Sequence, residues 1–447
     1  MERQPQSLAP RPNFEERARR WKFPEGIEFA GADVQGGYQR RVQMFLDVIA
    51  LKKPERIPVC PATGFYPLLY AGVTSEQAMY DYEKLGYALR KYHADFLPDS
   101  MAGTALYGPG KVLELLDYKL YRWPGHGVPP QEPYQCVEDE YMHADDYPRL
   151  ANDPSDFFIR SYFPRVFGSL SALAKVGLFS DVLELPSVGA AMVPLGLPDV
   201  QEAMKKLLEA GRAAIEWIEA CRAIDREIIS TLGLTGLMGG FTKAPFDIIG
   251  DTLRGTRAVM LDKFRQPKAV LAAVERLVPL AIDAGVHSAK NSRSPVVFIP
   301  LHKGADSFMS SKDFQAFYWP TLKAVIIGLI KEGLIPYLFV EGAYNKRLDM
   351  ISDPEIPAGR TIWMFDQTDL REVKKRFTGW ACFGGNLPSS LLIAGKPEEV
   401  EAHVRRLIDD VGQDGGYILS TGATVDNAVA ANLHAMIDTC KEYGVYR

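Results

Sequence analysis

Ile335-Pro-Tyr-Leu-Phe-Val-Glu-Gly342, Thr361-Ile-Trp-Met-Phe-Asp-Gln367, Ala381-Cys-Phe-Gly-Gly-Asn-Leu-Pro388 and Tyr417-Ile-Leu-Ser-Thr-Gly-Ala423 decide the fold. Each is a short apolar run that ends in glycine and polar residues. Charged segments of helical period lie between them. Repeated strand–helix units of this kind argue for an α/β fold of parallel strands covered by helices. Each strand delivers polar groups at its C-terminal end, where α/β barrels place their chemistry.

Working outward, Pro295-Val-Val-Phe-Ile-Pro-Leu301 reads as another such strand, followed at once by His302-Lys-Gly-Ala-Asp306. Glu227 to Gly236 reads as a strand with its exit loop. Ile57-Pro-Val-Cys-Pro61 and Ala94-Asp-Phe-Leu-Pro-Asp99 read as the first two strands, after helices over Gln39–Lys52 and Glu76–Tyr92. A further strand is sought inside 103–160 or 180–190 to complete eight. Residues 1–38, rich in Pro, Gly, Arg and Glu, read as an N-terminal arm. The main body is residues 39–447. Within it, 103–160 is crowded with Tyr, Pro, Gly and acids and reads as an irregular insertion or lid. Helical patterns follow from Asp156 to Arg222, broken at Gly189 and Pro194.

The 447 residues suit one large barrel with insertions. Apolar and charged fractions of 47% and 24% are those of a globular protein. A net charge of −5 gives no electrostatic case for nucleic acid or an anionic membrane surface. No apolar run reaches the ~20 residues that span a bilayer. The N-terminus lacks the apolar core of a secretory signal. Five scattered cysteines form no CxxC pair, so a cytoplasmic setting is expected.

Several segments, in order, resemble the uroporphyrinogen decarboxylase superfamily, which includes the haem-pathway decarboxylase and cobalamin-linked methyltransferases. They are Arg40-Arg-Val-Gln-Met with Lys53-Pro-Glu-Arg-Ile-Pro58, Pro245-Phe-Asp with Leu253-Arg-Gly255, and Pro267-Lys-Ala-Val270. The most specific are Gly385-Asn-Leu-Pro-Ser-Ser-Leu-Leu392, Gly395-Lys-Pro-Glu-Glu-Val400, Gly415-Gly-Tyr-Ile-Leu-Ser420 and the closing Asn432-Leu with Tyr443-Gly444. The resemblance spans about residues 38–447 and implies a (β/α)8 TIM barrel. The haem-pathway branch carries an arginine-rich signature after the first strand, which clamps carboxylates with guanidinium forks. Here the stretch is Pro61-Ala-Thr-Gly-Phe-Tyr-Pro67, without arginine, so that role is rejected. The methyltransferase branch often holds zinc by a His-x-Cys pair and a final cysteine. Alignment on Pro336 and Gly342 puts Phe339, Glu341 and Ala423 at those positions. Zinc bound in that pattern is therefore not expected. Glu341 and His302 are the candidates for any other metal.

Among the strand-end residues, Glu341, His302 and Asp366 are the expected catalytic set. A carboxyl in a confined pocket has its pKa raised and suits general acid–base work. A histidine shuttles protons or binds metal. Asp366 would orient His302 or meet a substrate hydroxyl. The plainer readings are a Glu341 ion pair with Lys346 or Arg347, a hydrogen-bonded loop at 302–306, and a helix N-cap by Thr368 or Asp369 beside Asp366. Lys303, Asp306, Tyr344, Asn386, Asp99, Phe65 and Tyr66 are the expected substrate-binding residues, against core packing for the aromatics and a turn for Asn386. The remaining histidines have no ligand spacing, and His403 and His434 fall in helical segments.

The resemblance implies methyl transfer from a small methoxylated or methylated substrate to cobalamin, either free or on a separate carrier protein. The chain lacks the Asp-x-His-x-x-Gly signature that would hold a corrinoid itself. A cofactor-independent decarboxylase or carbon–carbon lyase acting on a small aromatic or enol acid is the alternative. A non-catalytic ligand-binding or regulatory barrel is the third reading. The arm points to a homodimer.

Overall fold

The computed structural model describes residues 13–446. Among the described residues, nine strands form two sheets. β1 (Tyr121–Pro124), β2 (Gly127–Val128) and β3 (Gln135–Cys136) make a small sheet within the insertion. The main sheet is β4 (Gly240–Phe241), β5 (Val296–Leu301), β6 (Ile335–Val340), β7 (Ile362–Phe365), β8 (Cys382–Leu387) and β9 (Tyr417–Thr421). These six run side by side in sequence order, all parallel. The four runs that opened the sequence reading are β6 to β9.

Two extended segments continue the pairing beyond each edge. Cys60 N–H donates to Leu419 O (2.8 Å) and Leu419 N–H to Pro58 O (2.9 Å), in a parallel bridge. Asp99 N–H donates to Val59 O (3.0 Å), and Met101 N–H donates to Thr235 O (2.9 Å), again in parallel. Gly239 N–H reaches Val296 O at 2.8 Å.

The strands alternate faces, as the two-residue period requires. Val297, Ile299, Leu338, Trp363, Phe383 and Leu419 point outward into a core shared with the covering helices. Val296, Tyr337, Phe339, Met364 and Ile418 point inward and pack with Trp21 and Phe45. Those two side chains come from helices Phe14–Lys22 and Ala32–Ile49. Trp21 is fully buried, and its indole N–H donates to Thr235 Oγ1 (2.8 Å). Arg41 donates to Gly233 O (3.0 Å). The two helices therefore seal the end where the strands begin.

Several sequence expectations shift. The helix expected from Gln39 starts at Ala32, and residues 14–22 of the expected arm are helical and packed on the body. Residues 1–12 lie outside the described residues. Ala94–Phe96 is the end of helix Tyr82–Phe96, not a strand, because the amphipathic helical period of that segment persists to Phe96. The expected strand at Glu227–Gly236 is the end of helix Pro198–Leu232; extended chain begins only after Gly233, which closes the helix at φ +61°. The strands within 121–136 form their own sheet, and residues 185–192 are helical. Neither region supplies a member of the main sheet. No described helix is long and apolar enough to cross a membrane.

Candidate active site

Register brings the strand-end residues level. Leu301 pairs with Val340, Val340 with Phe365 and Phe365 with Gly385. The next residue of each strand, His302, Glu341, Asp366 and Asn386, has the inward parity of Phe339 and Met364. Asn386 in turn pairs with Ser420 of β9. The sequence reading thus placed four of its candidates on one rim.

His302 is the centre of the cluster. Its Nδ1 is 2.6 Å from Asp251 Oδ2, and its Nε2 is 3.5 Å from Glu341 Oε1. Asp251 also meets Lys243 Nζ (2.6 Å) and Lys303 Nζ (3.0 Å). Beneath them lies Asp247, fully buried. Its Oδ2 accepts from His302 N–H (3.1 Å) and the Tyr318 hydroxyl (2.7 Å), and its Oδ1 accepts from Lys303 N–H (3.0 Å). Three donors on one carboxylate fix the backbone that carries the histidine. Asp247 and Asp251 belong to a helical stretch after β4, Pro245–Asp247 and Ile248–Leu253.

The titrations follow from this packing. Burial lowers the His302 pKa, but the hydrogen bond and charge of Asp251 outweigh it and hold it above the ordinary imidazole value. Burial raises the Asp251 pKa, yet His302, Lys243 and Lys303 bring it well below the usual carboxylate range. Asp247 goes the other way, raised by burial and by the neighbouring Asp251 charge. Glu341 is raised by burial against the partial relief from His302, and further by Asp251 and Asp366. His302 and Glu341 keep 32% and 45% side-chain exposure, so both face the mouth. A protonated His302 beside Glu341 can donate a proton to a substrate atom.

Asp366 Oδ2 accepts from Gly342 N–H (3.0 Å) and fixes the turn after Glu341. The Asn386 amide donates to Thr368 O (2.8 Å). Asp369 caps the following helix, Leu370–Phe377, through Arg371 N–H. Glu341 has no ion pair with Lys346 or Arg347; Arg347 turns to Asp306 (3.5 Å), Ser311 (2.6 Å) and the Met309 carbonyl.

Other expected binding residues have different duties. Asp306 ties two loops together, accepting from Lys346 N–H (2.9 Å) beside Arg347. The Lys303 ammonium is engaged by Asp251 and does not stand free. Tyr344 is fully buried against Phe314 and does not line the mouth. Asp99 is fully buried in a two-pronged pair with Arg56 (2.7 and 2.6 Å) and accepts from Val59 N–H (2.8 Å). Arg56 precedes the first extended segment, so this pair lies at the opposite end of the strands. Tyr66 packs in the core with Tyr92 and Phe96. Phe65 does stand at the rim, held by Asp426 (2.9 Å) next to the Thr63–Val425 bridge.

The small sheet lies over this mouth. Tyr134 meets Phe65 edge-on (5.5 Å) and Tyr121 (5.6 Å). Burial and the Asp251 charge together raise the Cys136 thiol, which follows Tyr134 by two residues. Sequence reasoning missed Lys243, Asp247, Asp251, Tyr318 and Ser420. The only available signal was that Pro245-Phe-Asp247 belongs to the family-like middle segment.

Metal does not fit the rim. His302 and Glu341 offer two ligand atoms where zinc takes three or four, and two ammonium groups stand on Asp251. Among the described residues, His143, Asp145 and Asp146 bring ligand atoms within 4.8 Å of one another. Asp146 there is already engaged by Arg165 and by His143 N–H.

A family model described as uroporphyrinogen decarboxylase matches residues 194–443. A uroporphyrinogen decarboxylase from Mannheimia succiniciproducens is 23% identical over 274 residues, 55% of this chain and 72% of its own. A methyltransferase from Methanosarcina mazei superposes with a TM-score of 0.57 at 13% identity, covering 91% of this chain and 98% of its own. At that identity the likeness is one of fold. The family match takes in β4 to β9 and every member of the His302 cluster, and the chain belongs to the uroporphyrinogen decarboxylase family.

Proposed function

We propose that the eight parallel positions close into a (β/α)8 barrel, and that its mouth is the active site of a methyltransferase-like enzyme. The substrate is a small methoxylated or methylated compound. A corrinoid, free or on a separate carrier protein, supplies the cobalt that accepts the methyl group. The observation that carries the reading is His302, its pKa raised by Asp251 at 2.6 Å and its Nε2 facing Glu341 at 3.5 Å. As the carbon–oxygen bond breaks, the oxygen keeps the bonding pair and needs a proton. His302 Nε2–H gives it, while its Nδ1–H stays on Asp251. Glu341 orients Nε2 and returns a proton from solvent. Asn386, its amide anchored on Thr368 O, would meet the substrate with its free oxygen, above the fully buried Ser420. The five free cysteines suit work in the cytoplasm.

The test is the visible spectrum of cob(I)alamin mixed with the protein and methoxylated aromatics. Methyl transfer is expected, slowed ~100-fold or more in His302→Gln, the usual worth of a positioned acid. Loss of cob(I)alamin that is indifferent to both protein and substrate would sink the reading.

A second reading rests on another observation. Lys243, Lys303 and His302 converge on Asp251 under a roof of Tyr121, Tyr134 and Cys136, and the nearby Asp247 and Glu341 have raised pKa values that favour their neutral forms. That setting suits a small carboxylate and a decarboxylase or lyase that protonates the carbanion from His302. Carbon dioxide release from aromatic or enol acids, without any corrinoid, would select it.

A further inference from the structure

Residues 178–197 contain no buried side chain. The run is apolar nonetheless: Leu183 and Leu185 are 82% and 89% exposed, Phe179 63% and Val193 64%. Its apolar side chains leave bare on the order of 800 Å², what each partner gives a standard interface. A monomer seldom shows so large an apolar patch.

The next element repeats the anomaly. Helix Pro198–Leu232 buries Val200, Ala203 and Ala210 against its own domain. Its outer face still carries Met204, Leu208 and Ile215, 39%, 63% and 57% exposed. A helix apolar on both sides is normally covered on both. Met204 and Leu208 floor a groove of about 500 Å³, walled by Leu195 from the end of the run and lined also by Lys205, Arg212 and Glu209. The run, by contrast, flanks Leu183 with Asp181 and Glu184.

We propose that residues 178–193 of one copy seat in this groove of a second copy of the chain. Leu183 and Leu185 enter the groove, and Asp181 and Glu184 face Lys205 and Arg212. The knob carries two acids and the socket two bases against one acid, Glu209, and both lie on the same chain, so a two-fold pairing satisfies both at once. Residues 14–49, by contrast, are spent on sealing the barrel. Residues 178–193 precede the family match, so this contact is a property of the chain rather than of the shared barrel.

The experiment is sedimentation velocity on the full chain over a micromolar concentration series. A dimer is expected. Leu183→Asp with Leu185→Asp weakens it on the order of a hundredfold or more, with an unchanged circular dichroism spectrum because neither side chain packs internally. Met204→Asp does the same from the socket. Glu184→Arg weakens the dimer and Glu184→Arg with Arg212→Glu restores it. A wild-type monomer throughout the series overturns the proposal, as does a dimer that none of these changes weakens.

Discussion

Asp251→Asn isolates what the buried carboxylate does for His302. The change keeps the shape and removes the charge that faces Nδ1 at 2.6 Å. Burial, which lowers the imidazole pKa, remains; the partner that raised it is gone. His302 therefore titrates below its wild-type value, and less of it is protonated at neutral pH. If His302 is the acid, activity is lost as pH rises through its folded pKa. The alkaline limb of the kcat/KM profile must then move to lower pH in the variant, with a loss of ~10- to 100-fold at neutrality and partial recovery on acidification. The same sign governs stability: a raised histidine pKa stabilises the fold below the unfolded value of about 6.5, and that contribution fades above the folded pKa. Lys243 and Lys303 lose their shared partner as well, at 17% and 16% exposure. That should cost about 2–3 kcal/mol, less than a fully buried pair because some solvent reaches it. Proton NMR of the histidine Cε1–H signals follows the titration without any substrate, and His302→Gln assigns the signal. An unmoved His302 titration in Asp251→Asn, or a uniform fall in activity at every pH, would refute the reasoning.

Glu341→Gln removes a carboxylate whose pKa is raised, so the acidic limb of the same profile should flatten; a limb that stays in place assigns it elsewhere. Asp247→Ala strands three donors and should cost about 3 kcal/mol in a urea melt, at roughly 1 kcal/mol each; a loss below 1 kcal/mol would mean that water replaces it. Gly304→Ala puts a methyl group against the Tyr344 hydroxyl and, less closely, against the Tyr344 and Tyr318 rings, and a destabilised variant should be partly rescued by Tyr344→Phe; absence of any rescue would place the conflict elsewhere. Trp21→Ala opens the sealed end of the sheet and should cost ~3–5 kcal/mol, read as a lower urea midpoint.

The rim was legible because strand parity is a local property. Four apolar runs with polar ends put Glu341, Asp366 and Asn386 on one side, and the same rule added His302 from β5. Asp99 failed for an equally local reason. Its strand was read as ending there, whereas helix Tyr82–Phe96 runs on and Asp99 begins the extended segment. One end of a strand is the mouth and the other is the sealed floor, so a shift of a few residues turned a ligand into a structural ion pair. Asp306 and Tyr344 were misread differently: both follow strand ends, but the chain turns outward at Gly304 and Gly342 and takes them into loop packing.

Asp247 and Asp251 were illegible because neither ends a strand. They sit on a helical stretch after β4, about fifty residues before the histidine they control. Their four-residue spacing marks one helix face, which in sequence reads as a solvated acidic face. Only the adjacency of β4 and β5 turns that face toward His302. Without Asp251, the mouth would hold His302, Lys243 and Lys303 with only Asp247, Glu341 and Asp366 near them, the first two with raised pKa values, and burial would pull the histidine pKa down. On the proposed reading the strand ends supply the proton donor, and the neighbouring helical stretch favours its charged form. A sequence reading of this fold that scores strand ends alone will find the acid and miss the group that keeps it acidic.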